Sequence, residues 1–178
     1  MNIDDARHLQ ALIRTIPDFP SPGIQFRDVM PLLADAHGFA RALEALAEDI
    51  APHSIDMVAA IEARGFLLGG AIAQRLGCGL LPVRKPGKLP GPNHGIDYAL
   101  EYGSDRLEMQ VGSVKPGARV LVIDDLIATG GTALACGELI ARAGGHVAGF
   151  RFLIDLPDLG GAARLAARGW DARSLLRY

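Results

Sequence analysis

Residues 119–143 read RVLVIDDLIATGGTALACGELIARA, and this stretch decides how the rest of the chain is read. Residues 120–123 are a short, apolar, β-branched run, the pattern of a strand buried on both faces of a parallel sheet. Asp124 and Asp125 follow where such a strand would leave the core. Ala128, Thr129, Gly130, Gly131 and Thr132 are all small, and Leu134, Leu139, Ile140 and Ala143 then fall at helical spacing. A strand, an acidic pair, a glycine turn and a helix make an anion site at the carboxyl edge of a sheet. The first backbone N–H groups of a helix lack partners, and the helix dipole favours negative charge there. Gly130 and Gly131 permit close approach of backbone to ligand, and Thr129 and Thr132 add hydroxyl donors.

The carboxylates would repel a phosphate, so they are expected to face something else. Ribose hydroxyls and a magnesium shell both take carboxylate oxygens. A 5′-phosphate in the turn with a ribose diol over the aspartates satisfies every group. GxxxxGK[ST] is absent, and no GxGxxG opens a helix here, so neither a Walker loop nor a dinucleotide fingerprint is indicated. The alternative is an ordinary strand–turn–helix junction with polar residues at its turn.

A chain of 178 residues suits one domain with a sizeable core. Nearly half of its residues are hydrophobic, as in a globular protein. A net charge of −2 argues against general nucleic-acid binding, which shows a basic face. Cys78 and Cys136 lie in apolar segments without metal spacing, and small buried thiols in a reducing compartment are expected. The histidines are scattered, with no HExxH or CxxC pattern, so no protein-only metal site is expected. No apolar run reaches membrane-spanning length, and the start MNIDDARHLQ is not a signal-peptide pattern; a soluble, cytoplasmic protein is expected.

In chain order, residues 4–15 read as a helix with Ala6, Leu9, Leu12 and Ile13 on one stripe. Residues 17–31, PDFPSPGIQFRDVMP, are proline-rich and read as an ordered loop; there Phe26 beside Arg27 fits a core aromatic with a surface cation. Residues 37–51 are an amphipathic helix. Residues 56–61 form a strand ending in Glu62-Ala63-Arg64-Gly65, with a helix over 66–76. Arg64 is either a solvated loop charge or a planar fork suited to a diphosphate. Residues 79–83 are a third strand. Residues 84–95, RKPGKLPGPNHG, then carry Arg84, Lys85 and Lys88 among prolines and glycines. Such a segment is a surface excursion or a lid over an anion.

Residues 98–102 and 107–111 flank Gly103-Ser104-Asp105, a hairpin signal. After the central stretch, 146–154 read as a strand, 159–168 as a helix and 172–176 as a final strand. Leu156, at a strand's carboxyl end, suits core packing or an apolar wall for a ligand. Alternating strands and helices predict an α/β fold, a doubly wound, mainly parallel sheet flanked by helices, with ligands at the carboxyl ends of the strands. The N-terminal loop and the hairpin would form a small hood.

VLVIDDLIATGGTA resembles the phosphoribosyl-diphosphate (PRPP) motif of type I phosphoribosyltransferases. PGIQFRD, EARGF, RKPGKLPG and LEYG resemble segments of the adenine-using members, and the likeness runs over about residues 9–177. It implies one domain over residues 1–178, with a hood mainly in 1–35 and a lid at about 84–111. It implies transfer of the phosphoribosyl group of PRPP to adenine, giving AMP and pyrophosphate, with Mg²⁺ bound through PRPP and not by the protein. It further implies ribose and phosphate contacts from Asp124, Asp125 and Ala128 to Thr132, and leaving-group contacts from Arg64 and Lys85. Phe26 would stack on the base, with Gln25 and Arg27 beside it and Leu156 opposite. Glu101, with Tyr102 next to it, would come to the base and relay its proton. A homodimer is implied, without nucleic acid or membrane as partner. Another purine base, or a non-catalytic PRPP- or purine-sensing regulator of the same fold, are the competing readings.

Overall fold

The structure, a computed structural model, describes residues 3–99 and 104–178. The chain forms two compact units, Met1–Glu48 and Asp49–Tyr178. The expected hood, residues 1–35, falls within the first. That unit begins with α1 (Ile3–Ala11), then β1 (Arg14–Pro17) and β2 (Gln25–Asp28), an antiparallel pair, followed by α2 (Met30–Ala34) and α3 (Ala36–Ala47). The helix expected over 4–15 therefore stops at Ala11. Thr15 and Ile16 are β-branched and suit an extended backbone, and Arg14 closes an ion pair across the ladder to Asp28. The proline-rich loop likewise contains β2 and runs into α2. Asp35 caps α3 by accepting the Gly38 N–H at 2.6 Å. Leu9, Leu32, Ala42 and Leu46 are fully buried in this unit.

The second unit contains β3 (Met57–Ile61), α4 (Gly65–Leu76), β4 (Gly79–Val83), β5 (Asn93–Ala99), β6 (Ser104–Gln110), β7 (Arg119–Ile127), α5 (Gly131–Arg142), β8 (His146–Asp155), α6 (Gly161–Ala166) and β9 (Ala172–Arg177). Five strands make one parallel sheet in the order β4-β3-β7-β8-β9. The expected parallel α/β sheet is present. From β3 the chain winds outward through α4 to β4; from β7 it winds the other way through α5, β8 and α6 to β9. The direction of winding reverses between β3 and β7, the place where open α/β sheets bind ligands. Ala59, Ile61, Val120, Val122, Phe150 and Phe152 join Ala133, Cys136, Leu139 and Ile140 of α5 in one buried cluster.

Three boundaries differ from the sequence reading in ways that matter for the site. β7 runs through both acids to Ile127, because Ile123 to Ile127 continue to pair with β8. The hairpin strands pair Ile96 with Leu107, Tyr98 with Asp105 and Ala99 with Ser104, so Ser104 and Asp105 belong to a strand and not to the turn. This register puts Ile96, Leu107 and Met109 in the core, and a slip of one residue would turn them out. The helix expected from 159 starts at Gly161, after a short turn at Pro157–Leu159.

Candidate active site at the sheet switch point

Two strand ends supply the site. β3 delivers Glu62, Ala63 and Arg64, with the Glu62–Ala63 peptide cis. β7 delivers Asp124 and Asp125, and strand alternation sends the two acids different ways. Asp125 is 4 % exposed and forms an ion pair with Arg64. Asp124 opens instead onto a cavity of about 220 Å³ lined also by Ala128, Thr129, Gly130, Gly131, Thr132 and Phe152. Its Oδ1 accepts the Asp125 backbone N–H at 2.9 Å. Burial, and then the negative charge of Asp125, push the Asp124 carboxyl well above the ordinary aspartate range.

The start of α4 lies close against this pair. A Cβ at Gly65 would stand 2.9 Å from Asp124 Oδ1 and 3.0 Å from the Ile123 carbonyl, so only glycine lets the helix begin there. The turn after β7 is built on the same economy of space. Gly130 caps α5 in the left-handed region at φ +79°. Behind it sits Gly161, whose N–H donates to the Ala128 carbonyl at 3.0 Å. A Cβ at Gly161 would come within 2.3 Å of that oxygen and 2.8 Å of the Gly130 nitrogen. Arg164 Nη1 donates to the Thr129 carbonyl at 2.7 Å. The turn therefore holds its shape, with the first N–H groups of α5 at the cavity, where helix geometry and dipole favour an anion.

The segment after β4 carries the predicted cations. Glu62 Oε2 accepts from Arg84 Nε and from the Lys85 backbone N–H, both at 3.0 Å. Lys85 reaches the hairpin, where Nζ pairs with Asp105 and donates to Tyr98 Oη at 2.9 Å. Burial alone would lower the Lys85 pKa, yet the hydrogen bonds to Asp105 and Tyr98 leave it raised. Thr132 Oγ1 donates to the same Tyr98 hydroxyl at 3.2 Å.

In the first unit, Gln25 is exposed, while Phe26 and Arg27 are half-buried on β2. Phe26 meets Phe19 edge-on at 5.1 Å, and Arg27 Nη1 donates to Thr15 Oγ1. In the second unit, Leu156 is half-buried just beyond β8, and its N–H donates to the Ile127 carbonyl at 3.0 Å. Glu101 and Tyr102 lie outside the described residues. The structure thus brings Asp124 together with Ala128 to Thr132, and Arg64 with Asp125. Sequence reasoning missed Tyr98, Asp105, Gly161 and Arg164. A glycine pair at 160–161 inside a presumed helix was the available signal, since two glycines mark a turn more readily than a helix interior.

A parallel sheet whose winding reverses beside an acidic strand end and a glycine–threonine turn defines a phosphoribosyltransferase, and residues 32–167 match the family model described as phosphoribosyl transferase domain. An adenine phosphoribosyltransferase of Sphingopyxis alaskensis is 54% identical over 170 residues, 96% of this chain and 92% of that protein. The crystal structure of the Rhodothermus marinus adenine phosphoribosyltransferase superposes with a TM-score of 0.94 at 47% identity, covering 99% of this chain and 100% of that one. The Saccharomyces cerevisiae enzyme, crystallised with adenine, gives 0.91 at 36% identity over 98% of this chain and 100% of that one. The chain belongs to the adenine phosphoribosyltransferase family.

Proposed function

We propose that this chain transfers the 5-phosphoribosyl group of PRPP to adenine, giving AMP and pyrophosphate, a purine-salvage reaction. The observation that carries the proposal is the cavity framed by Asp124 and the Ala128 to Thr132 turn, at the point where the sheet changes its direction of winding. The bond from the anomeric carbon to the diphosphate oxygen breaks, and one from that carbon to a purine nitrogen forms. Between them the sugar carries oxocarbenium-like positive charge. The turn holds the 5′-phosphate, so binding far from the reacting carbon orients it. Asp124, at the cavity, takes the ribose diol, and Asp125 joins it once Arg64 turns to the diphosphate; ionised, the two acids set negative potential near the cationic ring.

Arg64 and Lys85 offset charge growing on the departing diphosphate. Each has a carboxylate partner to exchange for it, Asp125 and Asp105 respectively. Phe26 supplies a stacking face for adenine, with Gln25 and Arg27 as its neighbours in sequence, and Leu156 supplies an apolar wall. Glu101 takes or relays the purine proton, and Tyr102 contacts the substrate. Residues 1–35 act as a hood and about 84–111 as a lid of a single phosphoribosyltransferase domain.

Among the described residues no three His, Cys, Asp or Glu side chains gather as a metal site. Mg²⁺ would enter as part of the substrate, held through PRPP oxygens. Bound in that way, Mg²⁺ offsets negative charge on the diphosphate. The proposal includes a cytoplasmic homodimer; no helix of the described residues is long and apolar enough to cross a membrane.

Incubation with PRPP, Mg²⁺ and equal amounts of adenine, hypoxanthine, guanine and xanthine tests the proposal. AMP and pyrophosphate are the expected products. A different nucleotide would reassign the base, and no nucleotide at all would favour a binding-only regulator.

A further inference from the structure

The hydrogen bonds at the end of the β5–β6 hairpin put two expected ligand-binding groups on one pair of residues. Tyr98 and Asp105 face each other across the strands. A tyrosine hydroxyl has one hydrogen and two lone pairs, and all three are used here. Tyr98 Oη donates to Asp105 Oδ2 at 3.1 Å and accepts from Lys85 Nζ at 2.9 Å and Thr132 Oγ1 at 3.2 Å. Lys85 is also paired directly with Asp105. The single hydroxyl hydrogen of Thr132 is committed to Tyr98, and two of the three Lys85 ammonium hydrogens go to Tyr98 and Asp105. The Lys85 and Asp105 side chains are 36 % and 27 % exposed, too sheltered for water to screen the pair fully.

We propose that Asp105 and Tyr98 are positioning residues that hold Lys85 and Thr132 in reserve, so that an incoming anion competes with Asp105 for Lys85. Asp105 is then a built-in competitor that sets how tightly the site binds a diphosphate. It keeps the leaving group from being bound so strongly that its release is slowed. The inference rests on the reading of Lys85 as a diphosphate ligand and of Thr132 as a phosphate ligand. It adds two residues outside those roles, on the strands of the hairpin.

Inorganic pyrophosphate is the probe, with its Kd measured by titration calorimetry in the full chain. D105N is expected to tighten pyrophosphate binding about two- to fivefold, the range set by losing one partly exposed ionic competitor. KM for PRPP should fall with it, and D105E should restore both. Neutralising a nearby acid also favours anions in general, so the deciding comparison is in a K85M background. There the gain from D105N should vanish, because no ammonium is left to be released. Y98F should free Thr132 and tighten ribose 5-phosphate about two- to threefold, and it carries the test if D105N does not fold.

An unchanged or weaker pyrophosphate affinity in D105N, or a gain that survives in K85M, overturns the inference while leaving the functional reading intact. A parent chain that binds neither pyrophosphate nor ribose 5-phosphate overturns the functional reading, and this inference with it.

Discussion

Arg64 Nε donates to Asp125 Oδ2 at 2.5 Å, joining the turn after β3 to the far end of β7 across the switch point of the sheet. The partners are unequal: the Asp125 side chain is 6 % exposed and that of Arg64 is 43 % exposed. Removing the arginine leaves a buried carboxylate without this ion pair, whereas removing the acid leaves a cation that water can reach. R64A is therefore expected to lower the unfolding free energy by about 1–2 kcal/mol, well short of a fully buried pair because the Arg64 side chain is partly solvated. D125N keeps an acceptor oxygen and should fold normally, yet lose at least about tenfold in turnover, about 1.4 kcal/mol at the transition state. Denaturant titration and steady-state rates read the two effects separately. R64A should in addition weaken PRPP and pyrophosphate far more than adenine; equal losses for all three would contradict a diphosphate role.

Gly160 and Gly161 stand side by side but predict different outcomes. Gly160 adopts φ +72°, and a Cβ there meets nothing within 4 Å. G160A should therefore cost about 1 kcal/mol of stability through backbone strain and leave ligand affinity unchanged. A Cβ at Gly161 would meet the Ala128 carbonyl oxygen and the Gly130 nitrogen, both backbone atoms of the turn. G161A must push the turn, so a rise of about tenfold in KM for PRPP is expected on top of lost stability. Thermal melts and PRPP titrations of both variants check this, and matching affinities would show that the turn tolerates the displacement.

The two cysteines test the interior in another way. Cys136 is fully buried on α5, and burial pushes its thiol far up; Cys78 is partly buried and shifted in the same direction. Thiolate is the reactive form. In the native chain a thiol reagent at pH 8 should modify Cys78 slowly and Cys136 only on unfolding. Rapid loss of both free thiols would mean that the α5 layer opens locally.

Much of this architecture was legible because its signals are local. The run at 120–123 announced a doubly buried strand, and the small residues at 128–132 announced the turn. What escaped reading depends on partners distant in sequence. That Tyr98 stands opposite Asp105 follows from burying Ile96 and Leu107 against the sheet and α5, whose residues lie far from 84–111 in sequence. Nothing near Gly161 says that Ala128 will lie against it. Local sequence puts the acids as a pair at the strand's exit, whereas the longer β7 splits them, one toward the cavity and one toward Arg64. The end of a parallel strand depends on its neighbour: β8 stays extended as far as Asp155, so β7 keeps its ladder to Ile127.

Asp124 links stability to pH in a direction set by its surroundings. Its pKa is raised in the folded chain, first by burial and then by Asp125. The unfolded value is about 3.9, so the folded chain binds this proton more tightly than the unfolded chain. Below about pH 4 both states are protonated and Asp124 costs nothing. As pH rises, the unfolded chain loses its proton first and stability falls, until the folded carboxyl has ionised too; above that the loss is complete. D124N removes the charge, keeps an oxygen for the Asp125 N–H, and should melt higher than the parent at pH 7. The advantage should shrink toward zero as pH approaches 4, while turnover falls at every pH. Melting curves from pH 4 to 8 decide it. A parent chain as stable as D124N at pH 7 would mean that water or a bound cation already compensates Asp124, and that its carboxylate is no store of unfavourable charge for the substrate to relieve.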